Sequence, residues 1–272
     1  MSTGPRPDER FKKLNMGIAA THPFLDTHLP IAFAHRGGAS DEAENTMPAF
    51  QHAIDLGYRY LETDVHATKD GVLLAFHDNN LQRTCGVPGR ISELNFDEVR
   101  NARVAGREPI PLMAELLSSW PSARFNIDCK ADGALQPLIN LLTTTDSLDR
   151  VCVGSFSDNR LRQLRSHFGA SLCTSLGPKE VARLRLRRWL RQRPLFPGVH
   201  AAQIPFKQGP LTITDQSLVE AAHDVGLQVH VWTIDEPLEM EHLLDLGVDG
   251  IMTDRLSILR GVLESRGLWS NL

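Results

Sequence analysis

One rhythm recurs along this chain: an amphipathic run at helical spacing, a glycine, then a short apolar run. Met47, Phe50, Ala53 and Ile54 share one helical face, Gly57 stops the helix, and Tyr58-Arg59-Tyr60-Leu61 opens a strand. The same order carries Leu161, Leu164 and Phe168 through Gly169 to Ser171-Leu172-Cys173-Thr174. It carries Leu218, Ala221, Ala222 and Val225 through Gly226 to Val229-His230-Val231-Trp232, and Leu238, Leu243 and Leu244 through Gly247 to Gly250-Ile251-Met252-Thr253. A glycine past a helix end supplies the left-handed cap, and the strand that follows completes the αβ half of a βαβ unit. Strands are predicted at 31–35, 60–65, 125–129, 151–155, 172–176, 201–205, 228–232 and 250–253. Eight strands alternating with helices suit an α/β chain closed into a (β/α)8 TIM barrel better than an open doubly wound sheet.

One strand-like run is left over, Val72-Leu73-Leu74-Ala75-Phe76. It follows strand 2 across Lys69-Asp70-Gly71, and Asp-Gly between apolar runs is a strong hairpin signal. A tight turn cannot return a parallel strand, so this run is predicted to be an extra hairpin arm over the barrel mouth. Residues 78–112 then form an excursion before a helix around Leu112–Trp120. Residues 1–29 read as a lead-in segment that covers the barrel's bottom or lies on its flank, and 30–272 as the barrel domain.

Length and composition agree with this picture. A chain of 272 residues with 42% hydrophobic content suits one large α/β domain. A net charge of −4 gives no global attraction to nucleic acid, so any anion binding must be local. The four cysteines (Cys85, Cys129, Cys152, Cys173) show no metal-ligand spacing, and three lie in apolar strand-like runs. They read as reduced packing residues, which favours a cytoplasmic setting. The N-terminus lacks the apolar core of a signal peptide, and no apolar stretch approaches the length that spans a bilayer.

Against this ordinary background stands a dense cluster of charge. His35-Arg36 ends strand 1, Glu62 and Asp64 end strand 2, His77-Asp78 follows the hairpin arm, and Asp128 and Lys130 end strand 3. Side chains two apart on a strand share a face, so Glu62 and Asp64 point one way, as do Asp128 and Lys130. Charge in otherwise apolar strands is costly unless paired or bound to a metal ion. Barrel active sites lie at the C-terminal ends of the strands, and three consecutive strands deliver acid, base and cation to that rim. Such a cluster points to a polyanion, a metal ion, or both.

The ordered motifs carry a resemblance. They are His-Arg-Gly-Gly (35–38), Glu-Asn-Thr (44–46), Glu-Thr-Asp-Val (62–65), Lys-Asp-Gly (69–71), His-Asp (77–78) and Asn-Ile-Asp-Cys-Lys (126–130). Gly-Ser-Phe (154–156), Val-Trp-Thr (231–233) and Asp-Gly-Ile-Met-Thr-Asp (249–254) follow. This pattern resembles the glycerophosphodiester phosphodiesterase family, relatives of the phosphatidylinositol-specific phospholipases C, over nearly the whole chain after residue 30. The resemblance implies metal-dependent hydrolysis of glycerophosphodiesters to sn-glycerol 3-phosphate and an alcohol. It implies His35 and His77 as acid and base, Glu62, Asp64 and Asp128 as ligands of one divalent cation, and Arg36 and Lys130 as the phosphate-holding cations. Trp232 would flank the substrate. Many members of the family carry Glu where this chain has Asp128; the related sphingomyelinases D have Asp.

Several assignments stay open at this level. Glu44 is read as a support for Arg36 or His35, Thr46 or Asn45 as the cap of the following helix, and Asp254 as a cap of the last one. His66 continues the phase of Glu62 and Asp64 but is expected beyond the strand, in a surface turn. The segment 181–193 holds six arginines among Val181, Leu184, Trp189 and Leu190. It reads as an outer barrel helix, with peripheral membrane contact as the alternative. Two rival functions remain: a lysophospholipase D on the same scaffold, and a catalytically inactive barrel used as a binding module. Head group and oligomeric state leave no mark on the sequence.

Overall fold

A computed structural model describes residues 22–26, 30–40, 43–190 and 198–269. Eight parallel barrel strands are present among them. They are β1 (Ile31–Ala34), β2 (Tyr60–Ala67), β3 (Arg124–Cys129), β4 (Val151–Gly154), β5 (Cys173–Thr174), β6 (Ala201–Pro205), β7 (Gln228–Trp232) and β8 (Gly250–Thr253). The sheet runs from β5 through β4, β3, β2, β1, β8 and β7 to β6. Its two ends meet: Leu176 N–H donates to the Ala201 carbonyl at 2.8 Å, and His200 N–H donates to Thr174 at 3.0 Å. The barrel is therefore nearly closed, as the strand count predicts.

Outer helices are α1 (Met47–Asp55), α2 (Met113–Ser119), α3 (Asp132–Thr144), α4 (Asp158–Phe168), α5 (Pro178–Leu190), α6 (Gln216–His223), α7 (Pro237–Leu246) and α8 (Leu256–Ser265). Thr46 caps α1, its hydroxyl accepting from Ala49 N–H with Pro48 in the first turn. Leu61, Val65, Phe125, Ile127, Val151, Val153, Ala202, Ile204, Val229, Val231 and Ile251 face outward into the main core with the helices. Burying this layer is the dominant favourable term in the fold.

Alternation then sends Phe33, Tyr60, Cys152, Cys173 and Met252 inward to a second, smaller cluster. Phe24 closes it from below: its ring meets Tyr60 edge-on at 5.2 Å, and its carbonyl accepts from the Tyr60 hydroxyl at 2.7 Å. Residues 22–26 thus sit under the barrel; the rest of the lead-in, 1–21 and 27–29, lies outside the described residues. Cys85, Cys129, Cys152 and Cys173 are all free thiols.

The arm Leu73–Ala75 pairs antiparallel with β2, Val65 opposite Ala75 and Ala67 opposite Leu73. That pairing corrects the expectation for His66. β2 runs on to Ala67 because the arm extends its ladder, so His66 is a buried strand residue, its Nε2 donating to the His77 carbonyl at 3.1 Å. The excursion folds over Leu74, Phe76, Leu81, Ile91, Val99, Val104 and Ile110, a cluster of its own.

Below the rim, polar groups share the interior with the smaller apolar cluster around Phe33. Gln203 Nε2 donates to Asn126 Oδ1 at 2.7 Å, and His230 Nε2 donates to Gln228 Oε1 at 3.1 Å. Burial drives the His230 pKa down to about 4, and burial with the neighbouring His22 and Arg165 does the same to His200. Unfolded histidine titrates near 6.5. The unfolded chain therefore binds protons that the native state refuses, and stability is lost as pH falls from about 6.5 toward 4. His223 acts oppositely: burial opposes its charge, but Asp249, 2.7 Å away, raises its pKa. Its contribution is complete below 6.5 and fades as pH rises through the folded value. Two large depressions outweigh it, His230 alone contributing about 3 kcal/mol. The fall in urea midpoint between pH 7 and pH 4.5 should be smaller for His230→Gln than for wild type; equal falls would show that His230 is not held neutral.

Candidate active site

The turn after β1 builds the first part of the site. His35–Gly37 forms one 3-10 turn in which Arg36 takes a left-handed conformation, φ 51° and ψ 29°. Two glycines make this turn possible. Gly37 and Gly38 have φ of 82° and 93°, and a Cβ on Gly37 would come within 2.9 Å of the Ala49 side chain. The strained Arg36 backbone is held by a hydrogen bond from its N–H to Glu62 Oε2 at 3.1 Å.

His35 is oriented from the far side of the sequence. Its Nδ1 donates to Asp254 Oδ1 at 2.7 Å, leaving Nε2 facing Glu62 Oε2 at 3.8 Å. Burial opposes its charge, but Glu62 and Asp254 outweigh burial and raise its pKa. Asp254 is thus no helix cap; α8 begins beyond Arg255, and no side chain caps it. His77, two residues past the arm, has the same type of partner: Nδ1 donates to Asp78 Oδ1 at 2.7 Å. A carboxylate on Nδ1 fixes the tautomer and leaves Nε2 for proton transfer.

Between the histidines lies a chain of charge. Lys130 Nζ stands 2.9 Å from Asp64 Oδ1 and 2.8 Å from Asp128 Oδ2. Asp64 Oδ2 meets Arg36 Nε at 3.3 Å and accepts from Asn45 Nδ2 at 3.1 Å. Asn45 in turn accepts from the Thr63 hydroxyl, so it braces the site and the cap falls to Thr46 alone. Burial alone would raise the Asp64 pKa, yet Lys130 and Arg36 bring it below the ordinary range. Glu62, fully buried beside Asp64, moves the other way, its pKa raised to about 7 by burial and by the Asp64 charge.

Glu44 supports Arg36, accepting from Nη1 at 3.2 Å, and is itself held by Arg83. Arg83 also binds Asp78, whose pKa these bonds bring down to about 2. Trp232 stands half-buried at the end of β7, its ring edge-on to Phe156 at 5.7 Å. Lys130 lies over the same Phe156 ring at 5.9 Å. The structure therefore brings all nine residues singled out by sequence to the C-terminal side of the barrel. Asp254, Asn45, Asp78 and Arg83 belong with them.

Among the described residues, no group of three or more His, Cys, Asp or Glu is arranged to hold a metal ion, and the Lys130 ammonium stands between Asp64 and Asp128. The donor set nonetheless fits a hard cation in kind. It offers three carboxylates against the two cations Arg36 and Lys130, and Oδ1 of Asp128 is buried without a hydrogen-bond partner.

Comparison with known proteins finds relatives along nearly the whole chain. The model of the glycerophosphoryl diester phosphodiesterase family matches residues 35–258. A probable glycerophosphodiester phosphodiesterase 2 of Mycobacterium tuberculosis is 39% identical over 263 residues, 93% of this chain and 98% of its own length. A lysophospholipase D of Mus musculus is 27% identical over 89% of this chain and 87% of its own. Among solved structures, a phosphodiesterase of Oleispira antarctica in complex with the product sn-glycerol-3-phosphate superposes with a TM-score of 0.72. It does so at 20% identity, covering 87% of this chain and 97% of that one.

Proposed function

The chain belongs to the glycerophosphoryl diester phosphodiesterase family, and from that premise we propose that it hydrolyses glycerophosphodiesters to sn-glycerol 3-phosphate and an alcohol. The observation that carries this reading is the pair of carboxylate-oriented histidines, His35–Asp254 and His77–Asp78, on the rim that holds Arg36, Lys130 and the acidic triad. Arg36 and Lys130 hold the phosphate and spread the charge that develops on its oxygens. One histidine removes the proton of the glycerol 2-hydroxyl, whose oxygen attacks phosphorus. The bond to the head-group oxygen breaks as the other histidine gives that oxygen a proton. Water then opens the cyclic phosphate with the histidine roles reversed. Trp232 and Phe156 form the apolar wall beside the glycerol.

Glu62, Asp64 and Asp128 would hold one divalent cation, Ca²⁺ or Mg²⁺, which when bound polarises the phosphoryl oxygens. Glu62 holds the Arg36 turn in place through the N–H of that residue.

A second reading, lysophospholipase D activity, draws on the mouse relative and on exposed apolar side chains of the mouth. Phe156, Leu211 and Leu238 follow β4, β6 and β7 and are 64%, 66% and 78% exposed. Peripheral membrane contact through 181–193 accompanies that reading. In the described part of α5, Leu184 is buried while Arg183, Arg185 and Leu186 face outward, and Arg185 pairs with Asp215; residues 191–193 lie outside the described residues. Among the described residues no helix is long and apolar enough to cross a membrane.

A head-group panel separates the readings. Glycerophospho-choline, -ethanolamine, -inositol and -glycerol and lysophosphatidylcholine are each supplied with Ca²⁺, Mg²⁺ or a chelator. The expected result is glycerol 3-phosphate from the soluble diesters with a divalent ion and little in chelator. Faster cleavage of the lysolipid moves the assignment to the second reading, and full activity in chelator removes the cation from it.

A further inference from the structure

A single guanidinium in the excursion grips two of the carboxylates that orient active groups, and we propose that Arg83 is a positioning residue that sets His77 through Asp78 and Arg36 through Glu44. Its contacts are two forks. Nε and Nη2 donate to Asp78 Oδ2 and Oδ1 at 2.6 and 3.1 Å, and Nη1 and Nη2 donate to Glu44 Oε2 and Oε1 at 2.8 and 2.6 Å. The acceptors are shared with the active groups themselves. Asp78 Oδ1 also accepts from His77 Nδ1 at 2.7 Å, and Glu44 Oε1 also accepts from Arg36 Nη1 at 3.2 Å. A displacement of Arg83 therefore moves the acceptor of an acid–base histidine and the acceptor of a phosphate-holding arginine together.

Three separate segments meet here. Glu44 lies in the loop after β1, Asp78 just past the hairpin arm, and Arg83 on the short helix Gln82–Cys85 of the excursion. That helix is itself anchored: Leu81 is buried, and Ala105 N–H donates to the Thr84 carbonyl at 2.9 Å. Half-exposed ion pairs ordinarily contribute under about 1 kcal/mol to stability. Arg83 differs in being bidentate to both partners and in standing in series with the chemistry, where geometry governs rate. Lysine could not take its place, because one ammonium lacks the planar fork that spans two carboxylates. The excursion is on this account a working part of the site.

This inference rests on the roles given above to His77 and Arg36. A wild-type protein inactive on glycerophosphodiesters would fail that assignment. An active wild type indifferent to Arg83 would fail this one. The test measures kcat and KM on glycerophosphocholine for Arg83→Ala and Arg83→Lys, with Arg100→Gln, an exposed ion-pair residue on the same excursion, as the variant expected to match wild type. Arg83→Ala should lower kcat by on the order of 10- to 100-fold and raise KM severalfold while Tm moves by a few degrees. Arg83→Lys should remain closer to Arg83→Ala than to wild type, and millimolar methylguanidinium should restore part of kcat to Arg83→Ala alone. The kcat loss of Asp78→Asn and the KM rise of Glu44→Gln should not add to those of Arg83→Ala in double variants. Unchanged kinetics, or a loss that follows Tm with no rescue and full additivity, would overturn the proposal. If Arg83→Ala does not fold, Arg83→Gln carries the same comparison.

Discussion

His35→Ala should lose about 10³-fold in kcat on glycerophosphocholine while keeping a Tm near that of wild type. The rate should fall because the group proposed to move a proton at the reacting oxygen is gone, and general acid–base catalysis of this kind contributes on the order of 10²–10⁴. Stability is spared for a structural reason. The partner left behind, Asp254, has a side chain 29% exposed, so water can replace the imidazole on its carboxylate. The second partner, Glu62, loses only a 3.8 Å contact and keeps its bond from the Arg36 N–H. Steady-state kinetics beside a thermal melt separate the two effects. Turnover within a few fold of wild type would remove His35 from the chemistry.

Lys130→Ala should damage both activity and stability. The ammonium lies within 3 Å of Asp64 and Asp128, and Asp64 is almost fully buried. Deleting it leaves two neighbouring carboxylates, with Asp64 still held by Arg36 and Asn45. Removing one partner of a buried pair costs about 3 kcal/mol or more, because the other charge stays behind without compensation. Losing the cation proposed to stabilise the phosphoryl oxygens should cost on the order of 10²–10³ in kcat. The cluster should then accept a substitute charge, so millimolar Ca²⁺ should raise the Tm of Lys130→Ala more than that of wild type. Equal shifts in the two proteins would mean that the carboxylates do not share a cation-seeking field.

The fold was legible because every level of the sequence agreed. Outward residues such as Val151, Val153, Val229 and Val231 are apolar, the glycines past α1, α4, α6 and α7 mark the turns, and Asp70-Gly71 announces the hairpin. Strand β5 is shorter than its apolar run implies. Past Thr174 the backbone keeps bonding, but Leu176 reaches across to β6 and closes the barrel, so the regular ladder ends there.

The site was legible where its residues lie on adjacent strands, since a period of two fixes which side chains share a face. It was illegible where the partner comes from far along the chain. Asp254 is 219 residues from His35, and a Thr-Asp pair before a helix carries the ordinary signal of a cap. Arg83 sits in an excursion with no periodicity that would mark one arginine among several. His66 could have been found, because a hairpin arm returning from Asp70-Gly71 requires β2 to extend far enough to pair with it.

Phosphorus NMR of glycerophosphocholine incubated with the wild-type protein and a divalent cation tests the central claim most directly. The account predicts conversion to glycerol 3-phosphate, with a five-membered cyclic phosphate rising and decaying between substrate and product. A folded protein that leaves the diester intact with both Ca²⁺ and Mg²⁺, or that yields phosphocholine instead, would contradict it.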